Sequence, residues 1–339
     1  MATTVLSPVS HSSVFASLPE HIQANQGRVA RPQLGWLRPT TADTPLEEMR
    51  RRLDQDDYLY VKGLIPRSVV LQMREHYFSQ YAGTSLLDPT KPFIDGIFNP
   101  SEPASAHKGI GGGSTEGEDL KCLRGAHTTP NYLTFLKTPQ LRQMVRDLMG
   151  WDEEVLLQRT MLRHNVPCGE STGVHYDKLF LRGGDAFFLT AWVPIGDTKP
   201  IGGGLIYLEN SAKLGQAIED DFTRRAEHFT PEEKINAFNA NMTSIGILSN
   251  HPQEFEEAHQ HIAERAGLAG MEYTWLIANY EAGDVVFHHP CSVHASCSNE
   301  DPEGRIRLST DLRFYDRKDW DAGTCDERWM KVWDIGDGL

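Results

Sequence analysis

The chain has 339 residues, with 33 Lys and Arg against 47 Asp and Glu and a formal net charge of −14. That balance lacks the basic surplus a phosphate backbone requires, so a small-molecule substrate is expected and a nucleic-acid partner is not. Hydrophobic residues make up 39%, and no apolar run approaches the roughly 20 residues of a bilayer span, which excludes a membrane-embedded protein. Cys122, Cys168, Cys291, Cys297 and Cys325 form an odd set without CxxC spacing. Neither a disulfide framework nor a thiolate zinc site is suggested, and with no targeting pattern legible the expected location is cytoplasmic.

In chain order, residues 1–40 are rich in Ser, Pro, Thr and Ala without apolar periodicity and read as a flexible N-terminal arm, one that makes a homodimer contact worth testing. The remainder, 41–339, reads as a single domain. Thr44 and Pro45 signal a helix running through Leu53, residues 58–64 a strand, and residues 67–81 a second helix. The glycine-rich stretch 103–118 reads as a loop, either a surface connection or a lid. From residue 155 onward, short apolar stretches at 155–163, 173–181, 187–195, 203–209, 273–280, 284–288 and 307–315 are separated by turn residues, the pattern of a jelly roll. A charged, helical segment at about 211–269 interrupts them and reads as an insertion between strands of one barrel.

His175-Tyr176-Asp177 places an imidazole and a carboxylate two residues apart, on the same face of a predicted strand. A later strand, Gly283-Asp284-Val285-Val286-Phe287, leads into a His-rich turn that offers a third ligand. His294 is preferred, with His288 and His289 as competitors; His289 precedes Pro290 and is expected to sit in an extended turn. Two His and one carboxylate leave three coordination positions open, the set expected of non-haem Fe(II) oxygenases, whereas zinc more often keeps one open. Arg307-Leu308-Ser309 then offers a guanidinium fork and a hydroxyl on one face of a strand, a carboxylate clamp. Arg305 is an alternative to Arg307, the pairing with Ser309 favouring the latter.

With these motifs the chain resembles, over about residues 45–320, the phytanoyl-CoA dioxygenase-like family. Further marks are Asp57-Tyr58-Leu59-Tyr60-Val61-Lys62-Gly63-Leu64, Leu189-Thr190-Ala191-Trp192-Val193-Pro194 and the Gly202-Gly203-Gly204-Leu205 run. The resemblance implies a double-stranded β-helix (jelly-roll, cupin-like) flanked by helices, with Fe(II) as cofactor and 2-oxoglutarate and O₂ as cosubstrates. It implies oxidation of a C–H bond of a small metabolite, by hydroxylation, desaturation or oxidative cyclisation, and it leans toward the family's fungal natural-product members. It also implies that Gln158 and Thr190 contact 2-oxoglutarate. One departure is Glu209-Asn210-Ser211-Ala212-Lys213, where the family often carries a His, which argues against phytanoyl-CoA itself as substrate. The competing readings are a cupin-like zinc or manganese isomerase or hydrolase and a non-catalytic barrel protein.

Overall fold

A computed structural model describes residues 17–25, 27–107, 117–181, 183–225, 227, 230 and 248–332. The chain opens on strands β1 (His21–Ala24), β2 (Gly27–Ala30), β3 (Leu34–Trp36) and β4 (Pro39–Thr41), followed by helix α1 (Leu46–Asp56), β5 (Tyr58–Lys62) and α2 (Arg67–Ser79). Helices α3 (Gly117–Ala126), α4 (Pro130–Phe135) and α5 (Pro139–Met149) precede β6 (Glu154–Leu156), β7 (Met161–Asn165), β8 (Phe188–Pro194) and β9 (Leu205–Leu208). After α6 (Ala212–Arg225) and α7 (Pro252–Arg265) come β10 (Trp275–Ile277), β11 (Val285–His288), β12 (His294–Ser296), β13 (Arg307–Asp316) and α8 (Arg317–Asp321).

Two sheets face each other. The smaller runs β12-β9-β10-β3 and the larger β4-β5-β11-β8-β13-β6, with β7 also paired to β13. Neighbours are mostly antiparallel. Residues from both sheets, among them Tyr58, Tyr60, Trp192, Leu205, Tyr207, Leu276 and Val286, pack together in one buried cluster between them. This is the mainly β, helix-flanked jelly roll expected from the spacing of the strands.

Both sheets are covered on their outer sides as well. Leu59, Val61, Leu189, Val193, Phe287, Leu312 and Phe314 pack against Met49, Val70, Met73, Tyr77, Phe135, Leu141 and Val145 of the helices on the large sheet. Ile206, Leu208, Trp275 and Ile277 pack against Leu214, Ile218, Phe222, Phe255 and Ile262 of α6 and α7. Strands buried on both faces lose the apolar–polar alternation of a half-exposed sheet, which is why β8 reads as an almost unbroken apolar run.

Several expectations are corrected. Residues 1–16 of the predicted arm lie outside the described residues, but 21–41 form β1–β4, because β3 pairs in parallel with β10 and β4 with β5. These are pairings across the sequence that no local pattern signals. The first helix starts at Leu46 with Pro45 as its N-cap and no side-chain cap from Thr44. Residues 108–116 of the predicted loop lie outside the described residues, and α3 already begins at Gly117. Of the segment at 211–269, α6 and α7 are described, while 231–247 are not. Finally, 173–181 is no regular strand: Val174 and His175 form isolated bridges with Ser249 and His294, and a 3-10 turn, Asp177–Leu179, follows.

Candidate metal centre

His175 and His294 are held opposite each other by two backbone hydrogen bonds, His175 N–H to His294 C=O at 2.9 Å and His294 N–H to His175 C=O at 2.8 Å. Tyr176 continues extended at φ −130° before the chain turns at Asp177, so positions 175 and 177 still face the same way without a regular strand. One ligating atom from each of His175, Asp177 and His294 falls within 4.8 Å of the others, and all three side chains are buried. They are the one such cluster found among the described residues.

The orientation of both rings is fixed. Nδ1 of His175 lies 2.9 Å from Gly173 C=O, and Nδ1 of His294 lies 3.0 Å from Ser292 C=O. Each carbonyl accepts an Nδ1–H, leaving the Nε2 lone pairs for a cation, the arrangement by which metal-binding imidazoles are usually held. Burial lowers the pKa of His175, and it lowers that of His294 well below the ordinary value, reinforced by the neighbouring His175 and His288. Both rings are therefore neutral and ready to ligate near neutral pH.

Asp177 is gripped from three sides. Arg313 donates from Nη2 to Oδ1 at 2.8 Å and from Nε to Oδ2 at 3.3 Å. Thr190 donates to Oδ2 at 2.6 Å, and His288 Nε2 lies 3.2 Å from the same oxygen. Burial pushes the carboxyl pKa up, but the Arg313 charge and the His288 bond outweigh it and hold the group well below the usual carboxylate range. Oδ1 is left with one protein donor, and with it a free lone pair.

Strand β13 carries the rest. Its residues 307, 309, 311 and 313 share one face by the period of two. Arg307 is 4% exposed and donates from Nε to Gly203 C=O at 2.8 Å and from Nη1 to Ser309 Oγ at 2.7 Å, with Nη2 3.4 Å from Ser296 Oγ. The glycine turn presents that carbonyl at φ +83°, a conformation only glycine adopts cheaply. Burial, aided by the nearby Arg163, lowers the Arg307 pKa to about 10, and no carboxylate among the described residues lies within ion-pair distance of it. Arg305 instead is half-exposed and paired with Glu303 at 2.8 Å. Arg163 meets Asp311 at 3.1 Å.

Other residues behave differently from expectation. Thr190 is buried, but its hydroxyl hydrogen is committed to Asp177. Gln158 is exposed, because buried Leu157 and Arg159 alternate with it and turn it outward; it lines a surface cavity of about 550 Å³ with Lys137, Arg142 and Met330 and lies away from the interior. His289 stands at the surface side, its ring 5.3 Å from that of the exposed Phe187. His288 is fully buried but turned onto Asp177 instead of completing the triad. Arg313 and Ser296 were not foreseen, and His288 was weighed only as a third metal ligand. The alternation Arg307, Ser309, Asp311, Arg313 was the one signal that could have found the first.

Residues 102–306 match the family model described as phytanoyl-CoA dioxygenase. No curated protein matches the chain. Among solved structures it is similar to the non-heme alpha ketoglutarate dependent epimerase SnoN from nogalamycin biosynthesis, at 16% identity, covering 80% of this chain and 82% of that one, with a TM-score of 0.45. The carbocyclase SnoK from the same biosynthesis gives 15%, 83% and 87%, and 0.46. EctD from S. alaskensis with bound Fe gives 13%, 87% and 83%, and 0.47.

Proposed function

The chain belongs to the phytanoyl-CoA dioxygenase family and is an Fe(II)/2-oxoglutarate-dependent oxygenase of a small molecule; from that premise we propose which residues do the work. His175 and His294, through Nε2, and Asp177 hold the iron. Arg307, with Ser309, takes the distal carboxylate of 2-oxoglutarate. The observation that carries this reading is that three converging ligands stand in the same interior as a buried guanidinium with no carboxylate partner of its own. Two imidazole nitrogens and one carboxylate on one side of a cation suit Fe(II) and leave room for a chelating cosubstrate and O₂.

When bound, the iron with O₂ and 2-oxoglutarate supplies the oxidising power for a C–H bond. The protein's contribution is geometric and electrostatic. Gly173 and Ser292 fix the imidazole tautomers, while Arg313 and Thr190 prevent Asp177 from swinging out of position. Arg307 neutralises the cosubstrate's distal charge in a dry interior, where an unpaired charge of either sign is costly. The reading as a zinc or manganese isomerase or hydrolase gives Arg307 nothing to bind.

The substrate is proposed to be a metabolite of a secondary pathway, oxidised in the cytoplasm. No helix among the described residues is long and apolar enough to cross a membrane. The test is succinate formation from 2-oxoglutarate, which should require both Fe(II) and O₂. In Asp177→Ala, metal retention after dialysis should fall to background together with succinate. Full iron retention in that variant would refute the ligand set.

A further inference from the structure

The space between the sheets holds four tyrosines and a tryptophan, Tyr58, Tyr60, Tyr207, Tyr280 and Trp192. One of them reaches the metal ligands. β9 pairs with β12 in the register Tyr207↔His294, and the Tyr207 ring stacks on the His294 ring with centroids 5.6 Å apart and planes 28° apart. The Tyr207 hydroxyl lies 3.2 Å from Nδ1 of His288, and Nε2 of the same imidazole lies 3.2 Å from Asp177 Oδ2. An ionised carboxylate only accepts, so Nε2 must carry the hydrogen; Nδ1 is then bare and accepts the phenol O–H.

This is a directed chain of donors, Tyr207 to His288 to Asp177, in which Tyr207 and His288 are each at most 1% exposed. Neither ligates the iron or 2-oxoglutarate in the proposed site. A phenylalanine at 207 would fill the same space without a hydroxyl to satisfy. What a phenol adds beside an oxidising centre is an electron, and it yields that electron readily only if its proton has somewhere to go. His288 Nδ1 is that place.

We propose that Tyr207 is a redox relay, giving up an electron to the O₂-oxidised iron centre when no substrate C–H bond is within reach. The proposal rests on the Fe(II)/2-oxoglutarate reading above. One electron leaves the Tyr207 ring for the metal centre, which is reduced by one electron. The phenol proton moves from Oη to His288 Nδ1 as the O–H bond breaks and an N–H bond forms. A neutral phenoxyl radical remains on Tyr207, and the Asp177 carboxylate stabilises the resulting His288 imidazolium. The radical returns to the phenol by taking an electron from an external reductant of the ascorbate class and its own proton back from His288 Nδ1, which leaves that nitrogen bare again. Tyr58, whose ring stacks on Tyr207 at 6.1 Å and whose hydroxyl accepts the Arg38 N–H at 3.0 Å, is the next ring outward. The relay spares the metal ligands from oxidation during turnover without substrate.

The experiment loads the full-length protein anaerobically with Fe(II) and 2-oxoglutarate, omits primary substrate, mixes it with O₂, freezes it at successive times and records electron paramagnetic resonance. A tyrosyl signal is expected, with hyperfine structure that collapses when the protein is made with ring-deuterated tyrosine. Tyr207→Phe should abolish the signal and lose succinate-forming capacity in fewer turnovers. His288→Leu should also lose the signal although its phenol remains, which a role in packing alone would not produce. Succinate formation with no tyrosyl signal, or with an undiminished signal in Tyr207→Phe, would overturn the relay while leaving the iron assignment standing. If the Fe(II)/2-oxoglutarate chelate band never forms before O₂ is added, the underlying reading has failed and the relay falls with it.

Discussion

Along β13, Leu308, Leu312 and Phe314 point away from the space between the sheets into the packing with the helices, whereas Arg307, Ser309, Asp311 and Arg313 point into it, and both sets are at most 6% exposed. Burial alone therefore does not tell a folding face from a working one. On the outer face each buried apolar side chain stabilises the fold by about 1.5–3 kcal/mol. On the inner face, charges taken out of water are costly unless paired, and replacing such pairs by apolar residues is often neutral or stabilising. Stability does not explain why the inner set is polar; the proposed iron and 2-oxoglutarate sites do.

The sharpest break of that comparison is Arg307→Ala. Losing one partner of a desolvated charge pair costs about 2–5 kcal/mol, so the 2-oxoglutarate dissociation constant should rise by about 30-fold to several thousandfold while Fe(II) binding is retained. Titration calorimetry under anaerobic conditions reads both, and Arg305→Ala, at the half-exposed neighbour, should change neither. On the outer face the pattern reverses. Leu312→Ala should cost about 2–5 kcal/mol of unfolding free energy by urea denaturation, through lost burial and the cavity left behind, with the Fe(II)/2-oxoglutarate chelate intact in the folded fraction. Loss of 2-oxoglutarate affinity in Leu312→Ala without loss of stability would blur the two faces.

One buried group on the outer side is held uncharged. His127 donates from Nδ1 to Leu123 C=O at 2.8 Å and accepts the N–H of Leu162, on β7, at Nε2 at 3.1 Å. Burial pulls its pKa down to about 4. The unfolded chain takes up this proton near pH 6.5 and the native chain does not, so the unfolded state binds more protons between those values and stability must fall as pH falls. The loss begins below about pH 6.5 and reaches roughly 3 kcal/mol by the folded value, which is about 4. In His127→Phe this part of the slope of stability against pH should vanish; an unchanged slope would mean that His127 is charged in the native state. The smallest effect is expected at Arg313, which touches the ligand Asp177 and not the metal. Substituting such a supporting partner typically costs 10–100-fold in metal affinity. Arg313→Gln should fall in that range by competition with a chelator, with Arg313→Lys recovering part of it.

The chemistry was more legible in the sequence than the scaffold around it. His175, Asp177 and His294 could be picked because metal ligation demands particular residue types at short spacing, and Arg307 because a clamp needs a guanidinium beside a hydroxyl. The route to the first pair was wrong in detail, since an isolated bridge and a 3-10 turn replace the regular strand, yet one extended residue between the ligands suffices. Gln158 was named from resemblance alone, and the burial of Leu157 and Arg159 turns its side chain outward. Thr190 was named as a 2-oxoglutarate contact from resemblance, and its buried hydroxyl donates to the nearest strong acceptor, Asp177. The strands at 21–41 were missed because each is only three or four residues long, too short for an apolar alternation to show, and β3 finds its partner β10 more than 200 residues away. His288, Tyr207 and Arg313 acquire meaning only from distances across strands.

The central claim, that one interior site holds Fe(II) through His175, Asp177 and His294 and 2-oxoglutarate through Arg307, is tested most directly by anaerobic titration of the metal-free protein with Fe(II) and then 2-oxoglutarate. The account predicts a weak visible charge-transfer band of the chelate that saturates at one equivalent per chain, is absent in Asp177→Ala, and needs far more 2-oxoglutarate in Arg307→Ala. A folded protein that binds Fe(II) yet develops no such band would contradict it.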